Sequence, residues 1–412
     1  MRGSRIIEEE EEEKWIGIRA VESLGLGFDL TSDFRLKFAK GGGRLVVLDE
    51  VNKRDIVVPA VGGGITIPNV SQDIRFDKGD QIRFKSDVLQ FNQMSELLNQ
   101  KSSLQGKVPS GYFNSIFNFS GAWLNDSADT KCLAFDGYFI SLYYLHLIAS
   151  QLVLQDRVRK SVPSRWDPAS LSRSEYCVVS GTYAKLSLAH GQTAILCGPP
   201  SEPVWDKVPH DRFIQTYGTH VIVGMAVGGQ DVVCVRQNHS STIPAAELKG
   251  YLEELGDSLF SDGRSPSLLE QKLKDGKRNV PEVFSRILQS NPMQLSSVTE
   301  TSSKDGLTLI WSKRGGDVLQ HSHSSWLQSV AENPDAILFK FVPITSLLIG
   351  VPGSGYLSHA INLYTRCELF DSQILQENLV LLGLGWEGAG GWGGAKTKNH
   401  KFEPRVIKLT AR

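Results

Sequence analysis

No two of the chain's five cysteines, Cys132, Cys177, Cys197, Cys234 and Cys367, stand at C-x-x-C spacing. Neither a zinc module nor a disulfide framework is suggested, no metal site is expected, and the odd count fits a reducing compartment. Charge of one sign is also missing: 44 Lys and Arg balance 45 Asp and Glu, a net charge of -1. Near neutrality argues against a dedicated nucleic-acid surface. The local exception is the acidic run Glu8 to Glu13, which reads as a solvated, disordered tail over residues 1–19. The first thirty residues lack an apolar signal-peptide core, and no apolar run approaches the roughly 20 residues a membrane helix needs. The reading is therefore a cytoplasmic protein. The glycine runs at 41–43 and 62–64 lack the Lys-Ser/Thr of a phosphate loop and have no clear helix after them, so they read as turns and no cofactor is expected. No G-x-S-x-G nucleophile motif is present.

What is present suffices for a large core, with 412 residues of which 41% are hydrophobic. Between Leu45 and Phe91 short apolar runs alternate with Gly, Pro and Asp, a pattern of strands and turns. Residues 91–124 place Met94, Leu97 and Leu98, then Tyr112, Phe113, Ile116 and Phe117, at helical spacing, predicting two short helices separated near Lys107. A long alternating strand follows at 132–147, and a second spans Val221 to Arg236 with Gly228 and Gly229 inside it. Glycines within a strand mark a bulge or bend, so a sharply curved sheet is expected. Residues 243–289 are polar and helical in flavour, and 306–316 returns to strand. Long strand, helices, long strand thus occurs twice, predicting an α+β fold with antiparallel strands around helical inserts.

Several side chains invite a chemical reading. His220 could act as a general base, but a base needs a partner within about 3 Å and none is legible, so a structural histidine opening a strand is the better reading. His321 and His323 lie two apart without a third ligand and read as a polar loop. Glu253, Glu254 and Asp257 read as a solvated helix face, and Trp386 and Trp392 among glycines as low complexity. For membrane strands, Phe113, Phe117 and Phe119 give partial alternation in the first helical insert. The second carries charges on both phases and Pro281, and each basic residue facing lipid near the midplane would cost roughly 2–4 kcal/mol.

Tyr217, Gly218, Thr219 and His220, followed by Gly228 and Gly229, resemble the signature of the membrane-attack-complex/perforin (MACPF) domain. The order of elements over about residues 20–365 agrees, and "WLQSVAENPDAILFKFVPITSLL" and "LSHAINLY" resemble the segments that close such domains. The resemblance implies an α+β, MACPF/cholesterol-dependent-cytolysin-like fold: a bent, twisted four-stranded antiparallel sheet flanked by two helical clusters, here at about 91–130 and 242–295. In pore-forming members those clusters unfurl into membrane hairpins, which makes Tyr112, Phe113, Ile116, Phe117 and Phe119 candidate membrane contacts. "VESLGLGFDLTSDFRLKF", "FKSDVLQFNQMSELLNQ" and "SSKDGLTLIWSKRGGDV" carry a narrower resemblance to the plant constitutively-activated-cell-death and necrotic-spotted-lesions group. That likeness implies a non-enzymatic negative regulator of salicylic-acid-mediated programmed cell death and innate immunity. It further implies membrane lipid and self-association as partners, no nucleic acid, and a peripheral position at the plasma membrane. Two rivals stand beside it: a non-inserting interaction module of the same fold, and a hydrolase that uses His220.

The pattern is interrupted once. Asp167 and Pro168 make a good helix start, yet the helix changes character after Arg173. With residues 174–212 excised, Leu171, Phe213, Ile214 and Tyr217 fall at i, i+3, i+4 and i+7, and Gly218 becomes the terminal glycine. Residues 174–212 therefore read as an insertion, of the kind retained intron sequence would give, within a domain spanning 20–366. Residues 367–412 read as an atypical Gly- and Trp-containing tail.

Overall fold

The structure, a computed structural model, describes residues 15–60, 63–105, 108, 110–121, 123–148, 152–163, 176–179, 182–185, 195–197, 209–260, 280–289, 298–320 and 322–366. In chain order the elements begin with α1 (Ile16–Ser23), β1 (Gly27–Phe28), the hairpin β2 (Lys53–Ala60) and β3 (Gly63–Ser71), β4 (Ile74–Lys78) and β5 (Gln81–Lys85). Next come α2 (Phe91–Lys101), α3 (Gly111–Ile116), α4 (Trp123–Asp129), β6 (Thr130–Leu147) and α5 (Asp156–Lys160). Then follow β7 (Tyr176–Val179), β8 (Thr182–Lys185), β9 (Ile195–Cys197), α6 (Pro209–Tyr217), β10 (His220–Asn238), α7 (Ala245–Leu259) and α8 (Glu282–Gln289). The last elements are β11 (Val298–Ser302), β12 (Leu307–Arg314), α9 (His323–Ser329), β13 (Asp335–Pro343) and α10 (Ser354–Arg366).

Two strands organise everything else. β6 and β10, 18 and 19 residues long, pair antiparallel from Gly224↔His146 to Asn238↔Thr130. Each outer position of the sheet is filled by two short strands in tandem. β4 then β5 pair along β6, and β13 then β12 pair along β10, so the sheet is four strand positions wide, with β11 added outside β12. Covered on both sides, β10 reads as a continuous apolar run rather than an alternating one. Val232 and Cys234 belong to the large core that includes the α2–α4 side chains, while Val233 and Val235 belong to a second core with α7 and α8. The two helical clusters therefore occupy opposite faces of one sheet.

Several boundaries differ from the sequence reading. The tail expected to run to residue 19 gives way to α1 at Ile16, because Ala20 and Val21 give this helix an apolar face that is buried; the acidic run itself lies outside the described residues. The two helices expected over 91–124 are α2 and α3, and a further helix, α4, begins at Trp123. In the segment 174–212 the described residues form a small antiparallel sheet, β7–β8–β9, where the sequence showed little periodicity. α6 begins at Pro209, inside that segment, so it is nine residues long in its own right. Asp167, Pro168, Leu171, Lys107, Trp386, Trp392 and residues 367–412 lie outside the described residues.

Candidate functional site

The corner at Tyr217–His220 is built on backbone geometry. Gly218 ends α6 in the left-handed region at φ 78°, and its N–H donates to the Ile214 carbonyl at 2.7 Å. A left-handed C-terminal residue of this kind favours glycine, and here a Cβ would also fall 2.5 Å from the Phe28 backbone. Thr219 is fully buried: its N–H donates to the Phe28 carbonyl at 2.9 Å, and its hydroxyl oxygen accepts from the Leu30 N–H at 3.2 Å. Tyr217 packs on Phe213 and pairs its hydroxyl with Ser161 at 2.9 Å. The corner thereby stitches α6, β1 and β10 together.

His220 stands with Nδ1 3.0 Å from the Thr219 hydroxyl and its ring edge-on to Phe341. Burial lowers its pKa from 6.5 to about 3, so it is neutral at physiological pH. The unfolded chain takes up this proton near pH 6.5 and the folded one only near 3. The contribution of neutral His220 to stability is therefore fully present above pH 6.5 and lost as pH falls toward 3. Urea unfolding across that window is expected to show a slope that His220→Gln flattens; identical slopes would contradict the burial argument.

A second feature crosses the sheet at mid-height. β10 and β6 slip register between Val227 and Gly228, leaving Leu142 as the extra residue of a bulge, and the β4–β5 break at Gly79 lies against it. On the other side β12 ends and β13 begins, with Gly315 and Gly316 in the left-handed region at φ 67° and 69°. A Cβ on Gly228 would meet the Ile140 carbonyl oxygen at 1.8 Å, and one on Gly315 would meet the Gly228 carbonyl oxygen at 2.3 Å. All four strand positions are thus irregular on one line, with backbone packed against backbone. α9 covers this line: fully buried Trp326 donates from Nε1 to the Gly315 carbonyl at 2.8 Å and, with Val330, sits over Gly229.

Next to the bend is a buried polar group. Asp231, with no exposed surface, accepts from Trp311 Nε1 at 2.7 Å and pairs with His323 Nδ1 at 3.0 Å, and Lys313 Nζ lies 3.9 Å away. His323 is enclosed by Tyr138, Phe260 and Trp326. It is therefore a buried anchor of α9 rather than part of a polar loop; His321 lies outside the described residues.

The helical clusters are docked by different means. In the first, Phe91, Phe113 and Trp123 meet at centroid distances of 4.6–5.8 Å, and Phe117 and Phe119 join the same group. Tyr112, Phe113, Ile116 and Phe117 are buried and Phe119 half-buried, so the candidate membrane contacts are brought together but face the sheet. Tyr112 stacks on Phe34, and its buried hydroxyl has no hydrogen-bond partner among the described residues. An unsatisfied buried hydroxyl costs about 1–3 kcal/mol, which weakens this packed arrangement of the cluster. The second cluster adds charge to its apolar contacts. Arg83 bridges buried Asp136, at 2.9 and 2.7 Å, and Asp257 of α7, at 2.7 Å. Lys85 reaches Asp257 at 3.2 Å, and Lys249 reaches Asp87 at 2.5 Å. Burial acts to raise the Asp257 pKa, but the hydrogen bonds from Arg83 and Lys85 outweigh it and hold the carboxyl below its usual range. Asp257 is therefore a docking residue, not simply part of a solvated helix face.

Residues 13–371 match the model of the MAC/Perforin domain. The chain belongs to this family. It is 43% identical over 361 residues to the MACPF domain-containing protein At1g14780 of Arabidopsis thaliana, covering 84% of this chain and 50% of that one. Against the Arabidopsis MACPF domain-containing proteins NSL1 and CAD1 the identity is 39% and 35%, again over 84% of this chain and 51% and 49% of theirs. The chain thus spans about half the length of the curated relatives it matches. Among solved structures, GNIP1Aa from Chromobacterium piscinae aligns at TM-score 0.46 and 14% identity, over 84% of this chain and 56% of that one. The architecture of this MACPF domain is α+β, one antiparallel sheet between two helical clusters. Among the described residues no helix is long and apolar enough to cross a membrane, which says nothing of strands.

Sequence reasoning missed Asp231 and Arg83. Asp231 had a signal, being the one charged residue between Val221 and Val235. Arg83 had none, since its partners lie 53 residues away in β6 and farther still in α7.

Proposed function

We propose that this chain is a non-enzymatic MACPF-domain protein, cytoplasmic and peripheral at the plasma membrane, that restrains salicylic-acid-mediated programmed cell death and innate immunity in plants through membrane lipid contact or self-association. Identity of 35–43% to Arabidopsis MACPF proteins, NSL1 and CAD1 among them, supports the plant setting. The observation that carries the membrane part is the first cluster, a compact group of aromatic rings on short helices that could be exchanged for lipid contact. A structural His220 is supported by its neutrality and by the hydroxyl beside it, which already serves the backbone of β1.

A plant lacking the gene is expected to form spontaneous lesions, suppressed equally by the wild-type chain and by a folded His220→Gln variant. Lesions that persist with folded His220→Gln would favour the hydrolase reading; a lesion-free null plant would remove the cell-death role. The alternative of an interaction module that never inserts is favoured by one observation, the ionic docking of α7 to β5 and β6, which leaves charges that lipid would not accept.

A further inference from the structure

The geometry points to a clamp, Arg236 with Glu300, that couples the first helical cluster to β11, the strand that follows the second, although the two clusters lie on opposite faces of the sheet. Arg236 leaves β10 on the side of the first cluster. Its Nη1 donates to the carbonyls of Phe117 and Asn118, at 3.2 and 2.9 Å, where α3 ends and its last carbonyls have no partner within the helix. A guanidinium there also complements the negative end of the helix. Its Nη2 donates to Glu300 Oε1 of β11 at 3.1 Å, and the second Glu300 oxygen accepts from the side-chain amide of Asn118. The guanidinium lies 5.4 Å from the centroid of the Phe119 ring. Asn118 itself sits at φ 49°, in the left-handed region that asparagine enters more readily than most residues.

Beside the clamp lies an open cavity of about 530 Å³, between Phe119, Asp126 and Asp129 on the cluster side and Arg236, His239 and Thr308 on the sheet side. The end of α3 is tied to β11 by the polar contacts of Arg236, Asn118 and Glu300. Glu300 is the member that moves with β11, so displacement of β11 removes the carboxylate from both Arg236 and Asn118. The guanidinium then loses its orientation, and the end of α3 loses its cap. Disturbance in the strand after the second cluster is in this way felt by the first.

The coupling belongs to the free protein and needs no membrane, so its test is separate from that of lipid contact. Hydrogen exchange would be followed on the full chain, at the amides of Phe117, Asn118 and Phe119, which bond to the carbonyls of Phe113, Ser115 and Asn114. Glu300→Thr removes the carboxylate and keeps a strand-forming residue. Exchange at the three amides is expected to rise roughly tenfold, the factor that the loss of one or two charge-assisted hydrogen bonds on partly exposed groups gives, while α7 is unchanged. Adding Glu300→Thr to Arg236→Met should raise exchange by clearly less than Glu300→Thr does alone, because only the Asn118 contact is then left to lose. Faster exchange confined to β11 and β12, or effects of the two substitutions that simply add, would overturn the coupling. Should Arg236→Met fail to fold, Arg236→Lys keeps the charge but not the forked geometry and carries the same expectation.

Discussion

Gly228→Ala is expected to destabilise the fold by more than about 4 kcal/mol, and Gly229→Ala by less than about 3. The two neighbours differ in what a methyl group would strike. At Gly228 it meets the Ile140 carbonyl oxygen at 1.8 Å, a backbone atom fixed in the longest strand pair, and nothing there can turn aside. At Gly229 it meets the side chains of Val330 and Trp326 at 2.8 and 2.9 Å, which belong to the covering helix and its end. Those side chains can move by a few tenths of an ångström. Urea midpoints of the two variants check the contrast; equal losses would mean that the bend is held by α9 rather than by the close approach of β10 to β6.

The second large effect is expected at Asp231→Ala, a loss of about 3–5 kcal/mol, as when a buried ion pair loses one partner. The variant strands the Trp311 indole N–H and takes the neighbouring carboxylate from the Lys313 ammonium, whose side chain is only 6% exposed and which keeps the Gln320 carbonyl as hydrogen-bond acceptor. It also frees His323, and with it the start of α9. In the wild type, burial pushes the Lys313 pKa down and the Asp231 and Asp317 charges oppose that. Without Asp231 it falls further below the usual 10.5. Between the lowered value and 10.5 the unfolded chain holds the proton that the folded one has released, so stability rises with pH in that window. Part of the loss should therefore return toward pH 10 when thermal unfolding is followed as a function of pH. A loss independent of pH would place the damage in the Trp311 and His323 contacts rather than in Lys313.

The parts of this fold that were legible in the sequence are those that follow from periodicity over long stretches. β6 and β10 were visible because each sustains its pattern for more than fifteen residues, and Gly228 and Gly229 gave away the bulge because little else interrupts an apolar run. The clusters were visible as helical insertions between such strands. Their docking was not, because it depends on which charges the sheet brings opposite one another: Arg83 and Asp136 face each other only once β5 pairs with β6, and Asp257 joins them only once α7 lies across both. His323 misled for the same reason. Beside His321 it looked like one of a surface pair, and only the partner in β10 shows it to be buried. Burial of Tyr112, Phe113, Ile116 and Phe117 was equally hidden, since helical spacing of aromatic residues does not say whether the ridge meets protein or lipid. Phe213, Ile214 and Tyr217 lie in α6, which starts at Pro209, a residue suited to the first turn of a helix, while Leu171 of the same spacing lies outside the described residues.

Membrane contact by the first cluster is tested most directly with an environment-sensitive fluorophore placed at Phe119 in one variant and at Glu253 of α7 in another. Both positions are half-buried. Liposomes carrying plant plasma-membrane lipids and a trapped dye supply the second readout. A blue shift at position 119, little or none at 253, and no dye release is the expected result, corresponding to lipid contact by the first cluster while α7 stays docked on its ion pairs. Equal and large shifts at both positions with dye release would show both clusters inserting, against the ionic docking of the second. No shift at either position, with the protein recovered free of the liposomes, would contradict membrane contact altogether.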